Sequence, residues 1–243
     1  MAFVSLAIVV VSAAVRLGMY KFADRFRSAS TTRARVRLAR WCAWALPRLS
    51  VRVDMEGRPF DETCIYMANH RTYLDILVLA QLLDAAFLSR GDLSDWPVIG
   101  AAARLTGAVF VERQSATGRT RAVRHLLRQL HRHSFTVFPE GTTTGDPFPA
   151  PFHSGLFRLA RRAGVPIVPV TLRYNDRRAY WVEDLTMWRH LKERVLAGPP
   201  LHVIAHIGEP IHPTSFDSAD ELRTAVDLAI RRPIETCGEL VSR

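Results

Sequence analysis

A chain of 243 residues, 48% apolar and 23% charged, has enough material for one large core or two small ones, which excludes a disordered or fibrous protein. Its three cysteines, Cys42, Cys64 and Cys237, are widely separated and form no CxxC pair, so a disulfide framework and a structural zinc site are excluded and a reducing compartment is expected. The net charge is +10, and +9 of it falls between Arg16 and Arg52, where ten basic residues stand against the single acid Asp24.

The chain opens on the apolar run Met1–Val15, followed by Arg16 and then Leu17–Tyr20. A bilayer-spanning helix needs roughly 20 apolar residues, a length this segment reaches only if Arg16 snorkels, so the span is borderline. A signal peptide is disfavoured, because the start lacks a basic region and no cleavage site precedes the arginines. Over Thr32–Leu46, residues Leu38, Trp41, Cys42, Ala45 and Leu46 share one helical face, and Arg33, Arg37 and Arg40 lie on another. That is the pattern of an interfacial membrane anchor, the alternative being an amphipathic helix packed on the domain. The neighbouring apolar run favours anionic lipid over nucleic acid as the partner, and no nucleic-acid-binding motif accompanies the basic block. The positive-inside rule then keeps everything after Arg16 in the cytoplasm. Residues 1–50 read as anchoring helices and 51–243 as the folded catalytic domain.

Within 51–243, "RLSVRVDMEG" and "CIYMA" read as strands, and a helix is expected from Thr72 to Leu83 with Ile76, Leu79, Ala80 and Leu83 on one face. A strand "AAFLSR", a short helix "DWPVIGAAARLTG" and a strand "AVFVER" follow. Thr117–His133 sets Val123, Leu126, Leu127 and Leu130 against Arg121, Arg124, Arg128 and Arg132, a surface helix whose arginines read as a solvated face. "FTVFPEG" is a strand entering a turn, and "SGLFRLARRAG" a helix closed by Gly164. Strands "VPIVPVTLRY" and "LHVIAHIGEPI" precede a terminal helix, "SADELRTAVDLAIRRPI". Strands alternating with helices, without a long-period repeat, predict an α/β fold with a mainly parallel or mixed central sheet covered by helices. Chemistry in such folds gathers at strand ends, where His70, Arg113 and Glu140 fall.

The stretch "NHRTYLD" places His70 and Asp75 after the second strand. Thr72 and Asp75 form the pattern [ST]-x-x-[DE], so Thr72 is expected to cap the helix with Asp75 in its first turn and His70 in the entering loop. An imidazole there can fold back onto the carboxylate and present its other nitrogen to a substrate, the base and orienter of a triad. The alternative, a helix-capping Asp75 with a loop histidine, is equally compatible with this stretch alone. His202 and His206 lie on an alternating strand, where an offset of four separates them by over ~13 Å, so no metal site is expected.

Four ordered blocks resemble the signature of the glycerolipid (lysophosphatidate-type) acyltransferases. They are "NHRTYLD" with Thr72 for Ser; "WPVIGAAARLTGAVFVER" with Gly107, Phe110 and Arg113; "FPEGTTT" through Phe138, Pro139, Glu140 and Gly141; and "VPIVPV" through Pro166 and Pro169. The resemblance implies transfer of a fatty acyl group from an acyl-CoA or acyl-carrier-protein thioester to a lysolipid hydroxyl. His70 would be the base and Asp75 its orienter, with no cofactor and no acyl-enzyme. It places Asn69, Arg113, Glu140, Gly141, Thr142, Thr143 and His153 at the substrate, with backbone N–H groups near Gly141 or the helix start as oxyanion donors. Membrane lipid, a lysolipid and an acyl carrier protein are the expected partners.

Two departures concern the acceptor. Many lysophosphatidate enzymes carry Arg after "FPEGT" and Lys in "PFKxG", where this chain has Thr143 and His153. Both remove fixed cations that grip a terminal phosphate most strongly, which points to a lyso-ornithine lipid or a lysophosphodiester acceptor. The rival readings are a thioesterase, with water in place of the lipid alcohol, and a non-catalytic lipid-binding protein, against which His70, Asp75 and Glu140 stand intact.

Overall fold

The computed structural model describes residues 2–24, 30–112, 115–182 and 185–241. Seven strands form one sheet: β1 (Val51–Glu56), β2 (Ile65–Ala68), β3 (Ala85–Arg90), β4 (Val109–Val111), β5 (Ser134–Val137), β6 (Ile167–Tyr174) and β7 (Leu201–Ile207), in the order β1-β7-β6-β2-β5-β3-β4. Strands β2 to β6 are mutually parallel; β7 runs antiparallel to β6, and β1 runs parallel to β7. The sheet is therefore mixed. Its central strands β2 and β5 are buried at every residue, as expected of parallel strands covered on both faces. Edge-side β7 instead alternates, with Leu201, Val203, Ala205 and Ile207 buried.

Alternation along the strands divides the interior in two. Tyr66, Ala68, Val168, Val170 and Leu172 face a core filled by α2 (Thr31–Arg48) and α3 (Leu74–Leu82). Ile65, Met67, Phe135 and Val137 face the opposite core, filled by α5 (Ala116–Gln129), α6 (Gly155–Ala163) and α8 (Ala219–Val241), while α4 (Ile99–Leu105) lies between β3 and β4 in sequence. Gly164 closes α6 at φ +65°, a left-handed conformation that glycine adopts without a Cβ clash.

The basic helix is part of the core. Cys42, Ala45 and Leu46 of α2 are fully buried, so the apolar face that reads as a lipid anchor is instead seated on protein, while Arg33, Arg37 and Arg40 stay on the outside. The first helix, α1 (Ala2–Asp24), lies along α2: the Trp41 indole donates to Ser12 Oγ at 3.1 Å, and Arg16 stacks over Trp44 rather than reaching for a headgroup. Among the described residues no helix is long and apolar enough to cross a membrane. The outer face of α1 nevertheless leaves Ile8, Val11, Val15, Met19 and Phe22 exposed; at ~100° per residue they form one stripe.

His202 and His206 project from β7 toward β1, and each has its own carboxylate. His202 Nε2 meets Asp54 at 2.6 Å and His206 Nδ1 meets Glu56 at 3.3 Å.

Candidate active site

Strand β6 runs past the end of β2, so the chain leaving β2 is held against a longer neighbour. Asn69 Nδ2 donates to the Leu172 carbonyl at 2.9 Å, and its Oδ1 accepts the Leu172 N–H at 2.7 Å. Both polar atoms of this buried amide are thus used in extending the sheet, and the substrate contact expected of Asn69 gives way to a structural one. The loop then turns into α3, which begins at Leu74 and not at Thr72. The capping relation is also reversed. Thr72 Oγ accepts only the Leu74 N–H, at 3.5 Å, whereas the Asp75 carboxylate reaches back to the loop.

Asp75 is fully buried, and four donors converge on it. Its Oδ2 accepts the backbone N–H of Arg71 at 2.6 Å and of Thr72 at 2.9 Å, and lies 2.9 Å from His70 Nδ1. Its Oδ1 accepts the Tyr174 hydroxyl at 2.7 Å. Hydrogen bonds of this kind to an ionised carboxylate carry about 1.5–3 kcal/mol each. They fix Asp75 as the acceptor, so the His70 proton sits on Nδ1 and Nε2 is left as the basic nitrogen. The His70 ring stacks on Phe138 at 3.9 Å between centroids, tilted by 13°, and Nε2 has no partner among the described residues. The pair that the sequence leaves ambiguous is brought together in the geometry of a base and its orienter.

Glu140, expected at the substrate, spends both carboxylate oxygens within the protein. It is buried; its Oε1 accepts the His70 N–H at 2.7 Å, and its Oε2 accepts the Ala150 N–H at 2.7 Å and Arg71 Nη1 at 3.4 Å. Burial pushes its carboxyl above the ordinary range, opposed by Arg71 and the two N–H donors. Glu140 is therefore a strut that ties the loop after β5 to the loop after β2. Its counter-ion Arg71, also buried, continues to the His70 and Pro147 carbonyls and lies over the Tyr180 ring at 5.7 Å.

Gly141, at φ +75°, takes the left-handed turn that β5 needs after Glu140, and its N–H donates to the Phe138 carbonyl at 3.1 Å. The Arg71 and Thr72 N–H groups, just ahead of α3, serve Asp75, as above. Of the N–H groups at these two places, those of Gly141, Arg71 and Thr72 are thus engaged, whereas those of Thr142 and Thr143, beside Gly141, have no protein partner among the described residues. Thr142 is exposed and Thr143 half-buried in the following turn. His153 is exposed, anchored by its N–H to the Pro139 carbonyl at 3.0 Å. Arg113 lies outside the described residues.

Several residues in the site have no counterpart among the sequence expectations. Besides Arg71 and Tyr174, residues of 175–182 and 185–190 fold over the His70 loop. The Trp181 N–H donates to the Arg71 carbonyl at 2.8 Å, and Tyr73 meets Trp181 edge-on at 5.6 Å. Buried His190 closes the layer: its Nε2 lies 3.0 Å from the Tyr180 carbonyl, which can only accept, so Nδ1 is the acceptor for the Tyr73 hydroxyl at 3.2 Å. The signal for Tyr174 was its place at the end of a strand, which becomes informative once β6 is known to neighbour β2.

A family model described as Acyltransferase matches residues 50–173. The lyso-ornithine lipid O-acyltransferase of Pseudomonas aeruginosa is 34% identical to the chain over 209 residues, covering 83% of this chain and 80% of that protein. The 1-acyl-sn-glycerol-3-phosphate acyltransferase of Neisseria gonorrhoeae is 31% identical over 136 residues, 54% of this chain and 53% of that protein. The crystal structure of PlsC, the 1-acyl-sn-glycerophosphate acyltransferase of Thermotoga maritima, matches with a TM-score of 0.72 at 25% identity, covering 99% of this chain and 96% of that one.

Proposed function

Because the chain belongs to the acyltransferase family, we propose that it moves a fatty acyl group from a thioester donor to the free hydroxyl of a lysolipid, with His70 as the general base. The observation that carries this reading is the His70 Nδ1–Asp75 contact at 2.9 Å with Nε2 left unpartnered among the described residues. The lysolipid hydroxyl gives its proton to Nε2 as its oxygen attacks the thioester carbonyl. The imidazolium is stabilised by Asp75, whose charge is held in place by Arg71 N–H, Thr72 N–H and the Tyr174 hydroxyl. Collapse of the tetrahedral intermediate breaks the carbon–sulfur bond, and the departing thiolate takes the proton back from Nε2. The Thr142 and Thr143 N–H groups, free of protein partners among the described residues, are the donors we assign to the oxyanion. No serine nucleophile is required, so both substrates are bound together.

The acceptor is a lyso-ornithine lipid. Thr143 and His153 stand where a phosphomonoester site would carry fixed cations, and the relatives matched over most of their length act on lyso-ornithine lipid. The exposed stripe of α1 is the surface that meets the bilayer supplying it, and the basic residues around it are drawn to anionic headgroups. A panel of lyso-ornithine lipid, lysophosphatidate and lysophosphodiesters, each offered with acyl-CoA and acyl-carrier-protein donors, tests both points. Lyso-ornithine lipid should be acylated fastest, and His70→Ala should lower kcat by roughly 10²–10⁴-fold. Preference for lysophosphatidate would overturn the acceptor, and undiminished turnover by His70→Ala would overturn the base.

A further inference from the structure

The proposed reaction uses neither the arginines of α5 nor those of α6. On α5, Arg121, Arg124 and Arg128 are exposed at offsets of three and seven, so they fall on one line of the helix, and exposed Arg132 follows in the turn after it. Exposed Arg158 and Arg162 add two more on α6, the helix that packs beside α5. The sequence holds no acid between Glu112 and Glu140, and none between Asp146 and Asp176. Glu140 is buried in the site, and Glu112 lies against Gly118 at the start of α5. In the first half of neighbouring α8 the acids have other partners: Asp220 pairs with Arg223, Asp227 with Arg231, and Glu221 accepts the Asp217 N–H. Among the described residues none of the six arginines has a carboxylate partner. Like charges lined up this densely repel one another, and the repulsion is relieved by an acidic partner.

Position decides what that partner is. Helices α5 and α6 cover the sheet face opposite α1, α2 and α3, so a flat bilayer resting on the α1 stripe cannot also touch the arginine line. Both helices also begin at the end of the sheet where the parallel strands finish, the end that carries His70. We propose that the arginine face of α5 and α6 docks a small acidic carrier protein bearing the acyl chain as a thioester, which delivers the donor from the layer opposite the lipid. The inference rests on the acyl-transfer reading above.

The test uses the full chain with acyl carrier protein and CoA thioesters of one chain length and a single lysolipid acceptor. Reversing the line with Arg121→Glu/Arg124→Glu/Arg128→Glu should raise KM for the carrier-protein donor by roughly tenfold or more, and kcat and both acyl-CoA constants should move by less than about twofold. The milder Arg→Gln triple variant should give a smaller shift of the same kind, and added salt should raise the wild-type KM for the carrier-protein donor. Equal effects on both donors, no effect on either, or a wild type that uses acyl-CoA but not the carrier-protein donor overturns the docking face alone. Loss of the reversed variant from anionic vesicles that retain the wild type would reassign the arginines to lipid and likewise overturn it. A wild type inactive with both donors on every lysolipid overturns the acyl-transfer reading and the docking face with it.

Discussion

Tyr174 is a positioning residue for the catalytic pair. Its hydroxyl is one of four donors on Asp75, and burial beside that carboxylate pushes its own ionisation far upward, so it remains a donor throughout the working range. Replacing it with Phe removes the bond to Oδ1 and leaves the ring. Tyr174→Phe should lose about 1.5–3 kcal/mol of hydrogen bonding to a charged group, read as a fall in kcat with little change in KM. An unchanged kcat would show that the tyrosine only fills space. At this scale the sequence is legible where chemistry is local. His70 and Asp75 are five residues apart and share a loop, so their pairing can be read from one stretch. Asn69, Arg71 and Glu140 cannot be read in that way, because their partners lie 69 to 103 residues distant. A buried carboxylate that bonds two N–H groups and an arginine looks, in sequence, the same as one that binds a ligand.

At the level of elements, the segment from Asn175 to His190 is the part least visible in sequence. It lacks a long periodic pattern, and its described residues include the short turn Arg177–Ala179 and the single-turn helix α7 (Met187–His190). It is nevertheless placed by tertiary contacts, among them Trp181 on Arg71 and His190 between Tyr73 and Tyr180. Burial lowers the affinity of His190 for a proton below its ordinary value of 6.5, against weaker opposition from the Tyr180 and Arg178 backbone. The unfolded chain therefore binds the proton more readily than the folded one. The stabilisation is present in full above about pH 6.5 and is lost as pH falls from there through the lower folded value. Melting temperature measured from pH 7 to pH 5 should fall more steeply for the wild type than for His190→Gln, and parallel slopes would remove His190 from the acid response. Helices α3, α5 and α6 were legible because amphipathic spacing, the Gly164 stop and packing agree. The face of α2 was legible as well, but not what covers it: an apolar stripe is the same signal whether lipid or α3 lies against it.

For the whole molecule, the strand sequence and the mixed sheet follow from the alternation of elements, whereas the order β1-β7-β6-β2-β5-β3-β4 does not. Two stacked cores give the protein two unlike outer layers, one bearing the apolar α1 stripe and the other the arginine line. Val11→Glu/Val15→Glu places charge in the middle of that stripe without touching a buried residue. Sedimentation with anionic vesicles should show roughly tenfold weaker binding than wild type, while turnover of a detergent-dispersed acceptor is retained. Unchanged sedimentation would move the bilayer contact elsewhere. The donors that hold Asp75 and the struts around His70 also have a bearing on how the chain folds. The Asp75–Tyr174 and Asn69–Leu172 bonds span 99 and 103 residues, so neither can form until β6 has found β2 across a long closed loop. Such non-local pairings form slowly, because the entropy of closing the loop is lost before the contacts form. The helices can be in place while the histidine still has no fixed orientation, and catalytic competence is then among the last properties a refolding chain acquires.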